Sequence, residues 1–315
     1  MTSTVGDDRP RAAPRGGTAA GVGALLRRWR QQRRLSQLEL ALRADSSARH
    51  ISFVETGKAL PSRAMILRLA DHLEVPVRDR NALLLAAGYA PAFTETPLTD
   101  PAMAAVRAGL VEFLAACEPN PALVLHGPFD IVMTNRPTQA LLTGVAPDLL
   151  RPPVNLMRLA LHPRGLAPRI VNLPRWREHL LDTLRRSMIA GGPSALHALY
   201  EEVSGYPVPV PVAVASPGPD PDSWREAGTR ANGTGPPAPP GSHSAPALAL
   251  PLCLRVGDQV LTFLSTMTTF NAPTDVTVSE LAIELFLPAD ATTTRTITEL
   301  VARADASTHG SQPRS

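Results

Sequence analysis

Residues 35–57 read LSQLELALRADSSARHISFVETG, and the character of the front of the chain is decided in this stretch. Ser36 is followed three residues later by Glu39, the spacing at which a hydroxyl and a carboxylate cap each other's backbone N–H groups and open a helix. Leu38, Ala41 and Leu42 then recur at helical spacing. Ala44-Asp45-Ser46-Ser47 is small and polar and reads as a turn. A second helix follows from Ala48 to Glu55, with Ile51 and Val54 on one face and Arg49, Ser52 and Phe53 pointing elsewhere. Thr56-Gly57 closes it, because glycine enters the left-handed backbone region without a Cβ penalty. Two short helices packed at a steep angle through Leu38, Ala41, Ile51 and Val54 leave the leading end of the second helix exposed.

Working outward, Leu25, Leu26 and Trp29 alternate with Arg27, Arg28 and Arg30 in an amphipathic helical pattern over 24–32. Pro61-Ser62 opens a helix with Ile66, Leu69, Ala70 and Leu73 in register, and 80–87 forms a fifth before Gly88 and Pro91. Five short helices make a compact all-α domain over 21–93. The run Leu35 to Ala41, then Ile51-Ser52, then Glu55-Thr56-Gly57-Lys58 with Pro61 and Ser62, resembles the helix-turn-helix of the XRE family, related to the lambda-type repressors. That resemblance implies a lambda-repressor-like fold and double-stranded DNA as the partner. It places Gln37 on a phosphate and Ala48, Arg49 and Phe53, with Ser52 beside them, at positions facing base edges. Arg49 is the residue with a code to read, through the O6 and N7 of guanine, while Ala48 or Phe53 suits a thymine methyl. Ser47, Lys58 and Arg63 are assigned to phosphates, which fix register without reading sequence. The competing readings are Arg49 as a solvated helix charge and Phe53 as a core residue. Arg30 and Glu55 match positions that pair inside this fold. The sequence departs from the family at Asp45-Ser46, where glycine and then an apolar residue are usual.

The charge distribution agrees. Residues 1–90 hold 15 Arg or Lys against 8 Asp or Glu, whereas the remainder holds 16 against 20. A basic front on an acidic body points to a polyanion partner for the front. The length of 315 residues suits two domains, and 44% apolar residues against 19% charged exclude wholesale disorder. Prolines number 33, roughly twice the usual ~5%. Eight of them, with five glycines, fall in 216–246, which reads as a disordered insertion; 1–20 and 303–315 read as a disordered arm and tail. No signal-peptide core and no apolar run of membrane-spanning length appears, and two cysteines without metal-ligand spacing fit a reducing cytoplasm.

Beyond a short linker at 94–97, a helix over 103–117 leads to two strands, 122–126 and 131–134, around the turn Gly127 to Asp130. Helical patterns follow at 138–142, 155–161, 175–189 and 193–204, then apolar β-rich runs at 247–256, 260–270 and 278–287. Strands outside and helices between predict an α+β domain with an antiparallel sheet over 94–302. The two early strands carrying Asp130 and ending at Asn135, then Asn155-Leu156-Met157-Arg158 with His162-Pro163, then Trp176 and Arg185 on one helix, resemble the ligand-binding domain of the MmyB-like regulators. The resemblance implies a PAS-like fold behind a helix-turn-helix and a fatty acid or similar hydrophobic effector. An apolar cleft between sheet and helices would be lined by Val132, Leu159, Trp176, Leu180 and Phe263, each of which also fits plain core. Asn155 or Arg158 would orient a ligand head group, or else serve a cap and a surface ion pair.

Catalytic signatures are missing from the sequence. None of the eight histidines forms HExxH, and no P-loop, GxSxG or Rossmann glycine run is present. His197 with Glu201 and Glu202 has ligand-like spacing but fits a solvated helix face. Cys117 and Cys253 sit in apolar surroundings as inert thiols. The sequence therefore predicts a non-enzymatic, cofactor-free transcription regulator, the competing readings being a DNA-bound scaffold that senses nothing and an enzyme with a DNA-targeting head. A homodimer is expected, because paired heads must meet two half-sites about 34 Å apart.

Overall fold

The computed structural model describes residues 21–189, 195–208 and 249–309. The proposed arm at 1–20 and insertion at 216–246 lie outside these residues, as does the end of the tail from 310. The chain divides into two compact units, one comprising Met1–Met103 with Phe270–Ser279, the other Ala104–Thr269 with Glu280–Ser315.

The first unit contains helices α1 (Val22–Gln32), α2 (Gln37–Arg43), α3 (Ala48–Glu55), α4 (Arg63–His72) and α5 (Val77–Ala86). Their ends follow from local chemistry. Ser36 Oγ accepts from the Glu39 backbone N–H at 3.1 Å, and Glu39 Oε2 accepts from the Ser36 N–H at 2.7 Å, completing the capping box. Ser47 and Ser62 cap α3 and α4 by accepting from His50 and Met65. Gly57, at φ 74°, turns the chain out of α3. Leu26 and Trp29 of α1, Leu40 and Ala41 of α2, Ile51 and Val54 of α3, and Ile66 and Leu69 of α4 share one core.

One sequence expectation is corrected here. Leu38 does not pack α2 against α3: it is 59% exposed and Leu42 73%, whereas Leu40 is buried. Apolar residues surround α2 on several faces, so spacing alone does not choose its rotation. Gln37 on α2 donates from Nε2 to Glu55 Oε2 at 2.8 Å, and with this bond made Leu40, Ala41 and Ala44 face inward. The turn that departs from the family pattern holds Asp45 at φ 48°. A left-handed backbone costs a Cβ-bearing residue energy that glycine does not spend. Asp45→Gly is expected to raise the stability of this unit by about 1 kcal/mol, read as a higher denaturation midpoint without a change in slope.

The remainder of the unit comes from distant sequence. Asp275, on the segment between two strands of the other unit, accepts from Thr94 Oγ1 at 2.7 Å and Thr96 Oγ1 at 2.8 Å, and its neighbour Val276 donates to the Thr94 carbonyl. Residues 94–97 are therefore tied down, and 270–279, including the short helix α11 (Val276–Ser279), belong with the five helices.

The second unit is an α+β fold. Its strands are β1 (Ala122–His126), β2 (Asp130–Thr134), β3 (Val154–Asn155), β4 (Leu252–Val256), β5 (Gln259–Thr269) and β6 (Leu281–Pro288). They form one antiparallel sheet in the order β3-β2-β1-β6-β5-β4, so the last strand inserts beside the first and closes the domain. Helices α6 (Ala104–Ala116), α7 (Arg136–Leu141), α8 (Leu156–Leu161), α9 (Leu173–Ile189) and α10 (Ala195–Ser204) precede β4. Trp176, Leu180 and Leu184 of α9 pack with Leu199 of α10 and with Leu252, Leu254, Leu261 and Phe263 of β4 and β5. Asn172 pins the start of α9 to β4, donating to the Pro251 carbonyl and accepting from the Cys253 N–H. The last helix, α12 (Ala291–His309), reaches into 303–315; sequence reading had placed no helix after β6. Asp290 caps it by accepting from the Thr293 N–H at 2.7 Å, and Ile297 anchors it in the core.

Candidate nucleic-acid interface and effector cavity

The exposed front of α3 is positioned from behind. Ile51 and Val54 are buried, and Glu55 sits almost out of solvent, its side chain 2% exposed. Arg30 of α1 grips Glu55 in bidentate fashion, Nε to Oε1 at 2.6 Å and Nη2 to Oε2 at 2.9 Å, while its Nη1 donates to the Leu35 carbonyl at 2.7 Å. Gln37 adds the third bond to the carboxylate. One carboxylate thus joins α1, the start of α2 and the end of α3. Burial alone would push its pKa up, but the bonds from Arg30 and Gln37 and the charges of Arg30 and Arg27 hold it below the ordinary carboxylate value.

On the opposite side, Arg49 is exposed and Ala48, Ser52 and Phe53 are half-buried. Phe53 belongs to no core cluster; the Arg49 guanidinium lies 5.2 Å and the Lys58 ammonium 5.8 Å from its ring centre. Cation–π attraction of this kind holds both cations beside the ring at the solvent face. Lys58 also donates its backbone N–H to the Phe53 carbonyl at 2.8 Å, which fixes the chain as it leaves the helix. Ser47, Lys58 and Arg63 are exposed around this front, Ser47 with its hydroxyl capping α3. Gln37 stands apart from the rest, since its side chain is engaged with Glu55.

In the second unit, a cavity of about 50 Å³ lies among α8, α9, β4 and β6. Trp176 and Leu180 line it together with Leu156, Leu254, Phe286 and Glu284. The other residues considered from sequence sit elsewhere. Leu159 and Phe263 are buried outside this lining, Phe263 edge-on to Phe286 with ring centres 6.4 Å apart. Val132 is 40% exposed and lines a separate surface hollow with Val111, Leu114 and Met133. Asn155 caps α8 and donates to the Pro128 carbonyl and Asp130, which occupies both ends of its amide. Arg158 is paired with Glu202, Nη2 to Oε2 at 2.7 Å. Glu284 had escaped sequence reading; the signal was a lone acid inside the apolar run Ala282 to Phe286.

Residues 22–83 match the model of a helix-turn-helix domain, and residues 106–209 match that of the MmyB-like transcription regulator ligand binding domain. The chain is a DNA-binding transcription regulator with a MmyB-like ligand-binding domain. No curated protein matches it. Both matched domains are regulatory and point to a non-enzymatic transcription regulator. The second match ends at 209, before β4, β5 and β6, so the wall of the cavity that carries Leu254, Glu284 and Phe286 lies beyond it. Among the described residues no group of His, Cys, Asp or Glu is arranged to hold a metal ion, and no helix is long and apolar enough to cross a membrane. Burial pushes the Cys117 and Cys253 thiols up, away from the reactive thiolate.

Proposed function

We propose that this MmyB-like regulator binds operator DNA as a cytoplasmic homodimer through the exposed front of α3, and that a small hydrophobic effector with a fatty-acid-like chain, bound in the second unit, governs that binding. The observation that carries the DNA reading is the pair of exposed cations, Arg49 and Lys58, set against half-buried Phe53 on a helix fixed from behind by Glu55. A short helix so held enters the major groove with Arg49 able to grip guanine, Ala48 and Phe53 at apolar base edges, and Ser52 among them. Ser47, Lys58 and Arg63 take phosphates, as does the end of α2 at Gln37 through the N–H groups that open that helix. The two heads of a dimer must present their α3 helices about one turn of DNA apart.

The effector reading rests on the apolar cavity beside Trp176 and Leu180. At about 50 Å³ it is far below the ~300 to 1,000 Å³ of sites that enclose whole ligands, so an effector enters by displacing lining side chains. That requirement suits a sensor, because only a ligand that prefers a rearranged state shifts the equilibrium between states. Asn155 and Arg158, considered above as head-group ligands, hold α8 in place beside the cavity.

Selection of bound fragments from randomised duplexes tests the reading role. Arg49→Ala is expected to lose about 1 to 3 kcal/mol of discrimination at one position of each half-site while keeping its thermal transition. Unchanged selectivity would remove Arg49 from base reading. A gel shift with and without cell lipid extract separates a sensor from a scaffold, which would show identical affinities.

A further inference from the structure

The cavity has one polar residue, and it is an acid. Glu284 and Phe286 share a face of β6 and line the cavity, where the other lining residues, from α8, α9, β4 and the turn between α8 and α9, are all apolar. Glu284 is 7% exposed. Its Oε1 accepts from the Ser265 hydroxyl at 2.6 Å, while its Oε2 is buried and has no partner among the described residues. Its register partners are Leu123 on β1 and Met267 on β5, so no cation faces it from the strands on either side. A buried oxygen left without a partner costs about 1 to 3 kcal/mol and is rare unless something else completes it.

Burial pushes the Glu284 carboxyl above the ordinary carboxylate value, and the Ser265 bond only partly opposes this. The sign follows from linkage. A carboxyl raised in the folded state favours folding most below its unfolded value, and the advantage fades as pH rises through the folded value. At neutral pH Glu284 is therefore a burden on the domain that a leucine would not impose.

We propose that Glu284 is the polar anchor of the effector site, and that the effector is an apolar molecule whose small, uncharged head pairs with Oε2: a hydroxyl donates to that oxygen, while an ester, ketone or lactone carbonyl accepts from it when the acid carries its proton. This rests on the reading of the second unit as a sensor of a hydrophobic effector and narrows it: the chain is that of a fatty acid, the head is not its carboxylate. A carboxylate would bring negative charge into an apolar cavity that no cation faces from β1 or β5, and an ammonium would put two charges out of water, a desolvation that their attraction often fails to offset. A neutral head adds no charge.

The test is calorimetric titration of the full chain with octanol, methyl octanoate, octanoate and octylamine. In the unsubstituted protein the two neutral ligands are expected to bind at least about tenfold more tightly than either charged one. Glu284→Leu should weaken octanol about tenfold and leave octanoate unchanged, and Glu284→Gln, which keeps a hydrogen-bonding head, should restore octanol to within about threefold. A purely structural role would move all four ligands together. Tightest binding of octanoate or octylamine, or octanol affinity indifferent to Glu284→Leu, overturns the head-group assignment while leaving the effector reading intact. If none of the four binds the folded chain, both fall. The ranking in the unsubstituted protein decides the matter even if a variant fails to fold.

Discussion

Glu55→Ala is expected to cost the helix-turn-helix unit about 3 to 5 kcal/mol, the loss seen when one partner of a buried ion pair is removed. The guanidinium of Arg30 would remain in place with only the Leu35 carbonyl to satisfy it, and Gln37 would lose its acceptor. For a unit of this size each kcal/mol is worth about 4 to 8 °C, so the first unit should melt at least about 12 °C lower. DNA binding should fail at temperatures where the second unit is still folded. Calorimetry of the full chain would show a separate, early transition; a single transition at the original temperature would mean that the Arg30–Glu55–Gln37 junction carries little stability. The pH dependence has a definite sign. Glu55 is held below its ordinary value of 4.5, so its contribution is complete above that pH and is lost as pH falls through the folded value. The difference between the native protein and Glu55→Gln should accordingly be full at about pH 6 and shrink in acid.

Gly23→Ala is expected to lose about 3 kcal/mol, against the usual rule that alanine improves a helix by about 0.5 to 1 kcal/mol over glycine. A Cβ at position 23 would lie 2.2 Å from the Val54 carbonyl oxygen and 2.9 Å from that of Glu55, both backbone atoms that no side-chain rotation can move. The helix α1 approaches the end of α3 this closely because there is nothing on Gly23 to keep it away, and that approach puts Arg30 within reach of Glu55. Chemical denaturation of Gly23→Ala beside Gly21→Ala, which has open space around its Cβ, checks the argument. Equal midpoints for the two variants would refute close packing as the reason for the glycine.

The first unit was largely legible because its information is local. Ser36 with Glu39, Ser62 and Gly57 mark helix ends by chemistry acting within four residues, and the structure follows each mark. The misplacement of Leu38 shows where such reading stops: several leucines can face inward, and the choice is made by a bond from Gln37 to a residue eighteen positions away. The hairpin of β1 and β2 was legible from two short apolar runs on either side of turn residues. The cavity was legible only in part. Trp176 and Leu180 recur on the apolar stripe of α9 and reach its wall, but Glu284 joins them only because β6 inserts beside β1, a pairing of strands about 160 positions apart that no local pattern encodes. Helix α12 was missed because Ala291-Thr292-Thr293-Thr294 is rich in β-branched residues, which favour strands in isolation; the cap at Asp290 and the burial of Ile297 outweigh that preference.

The bonds from Thr94 and Thr96 to Asp275 carry a lesson for protein engineering and for descent. A gene fragment ending after position 103 would encode five helices but omit the carboxylate that satisfies both hydroxyls, so the head is not a cassette that can be cut out at one seam or transplanted by a single crossover. Recombination that swaps heads between such regulators must exchange residues near 275 as well, or leave the graft with a frayed end.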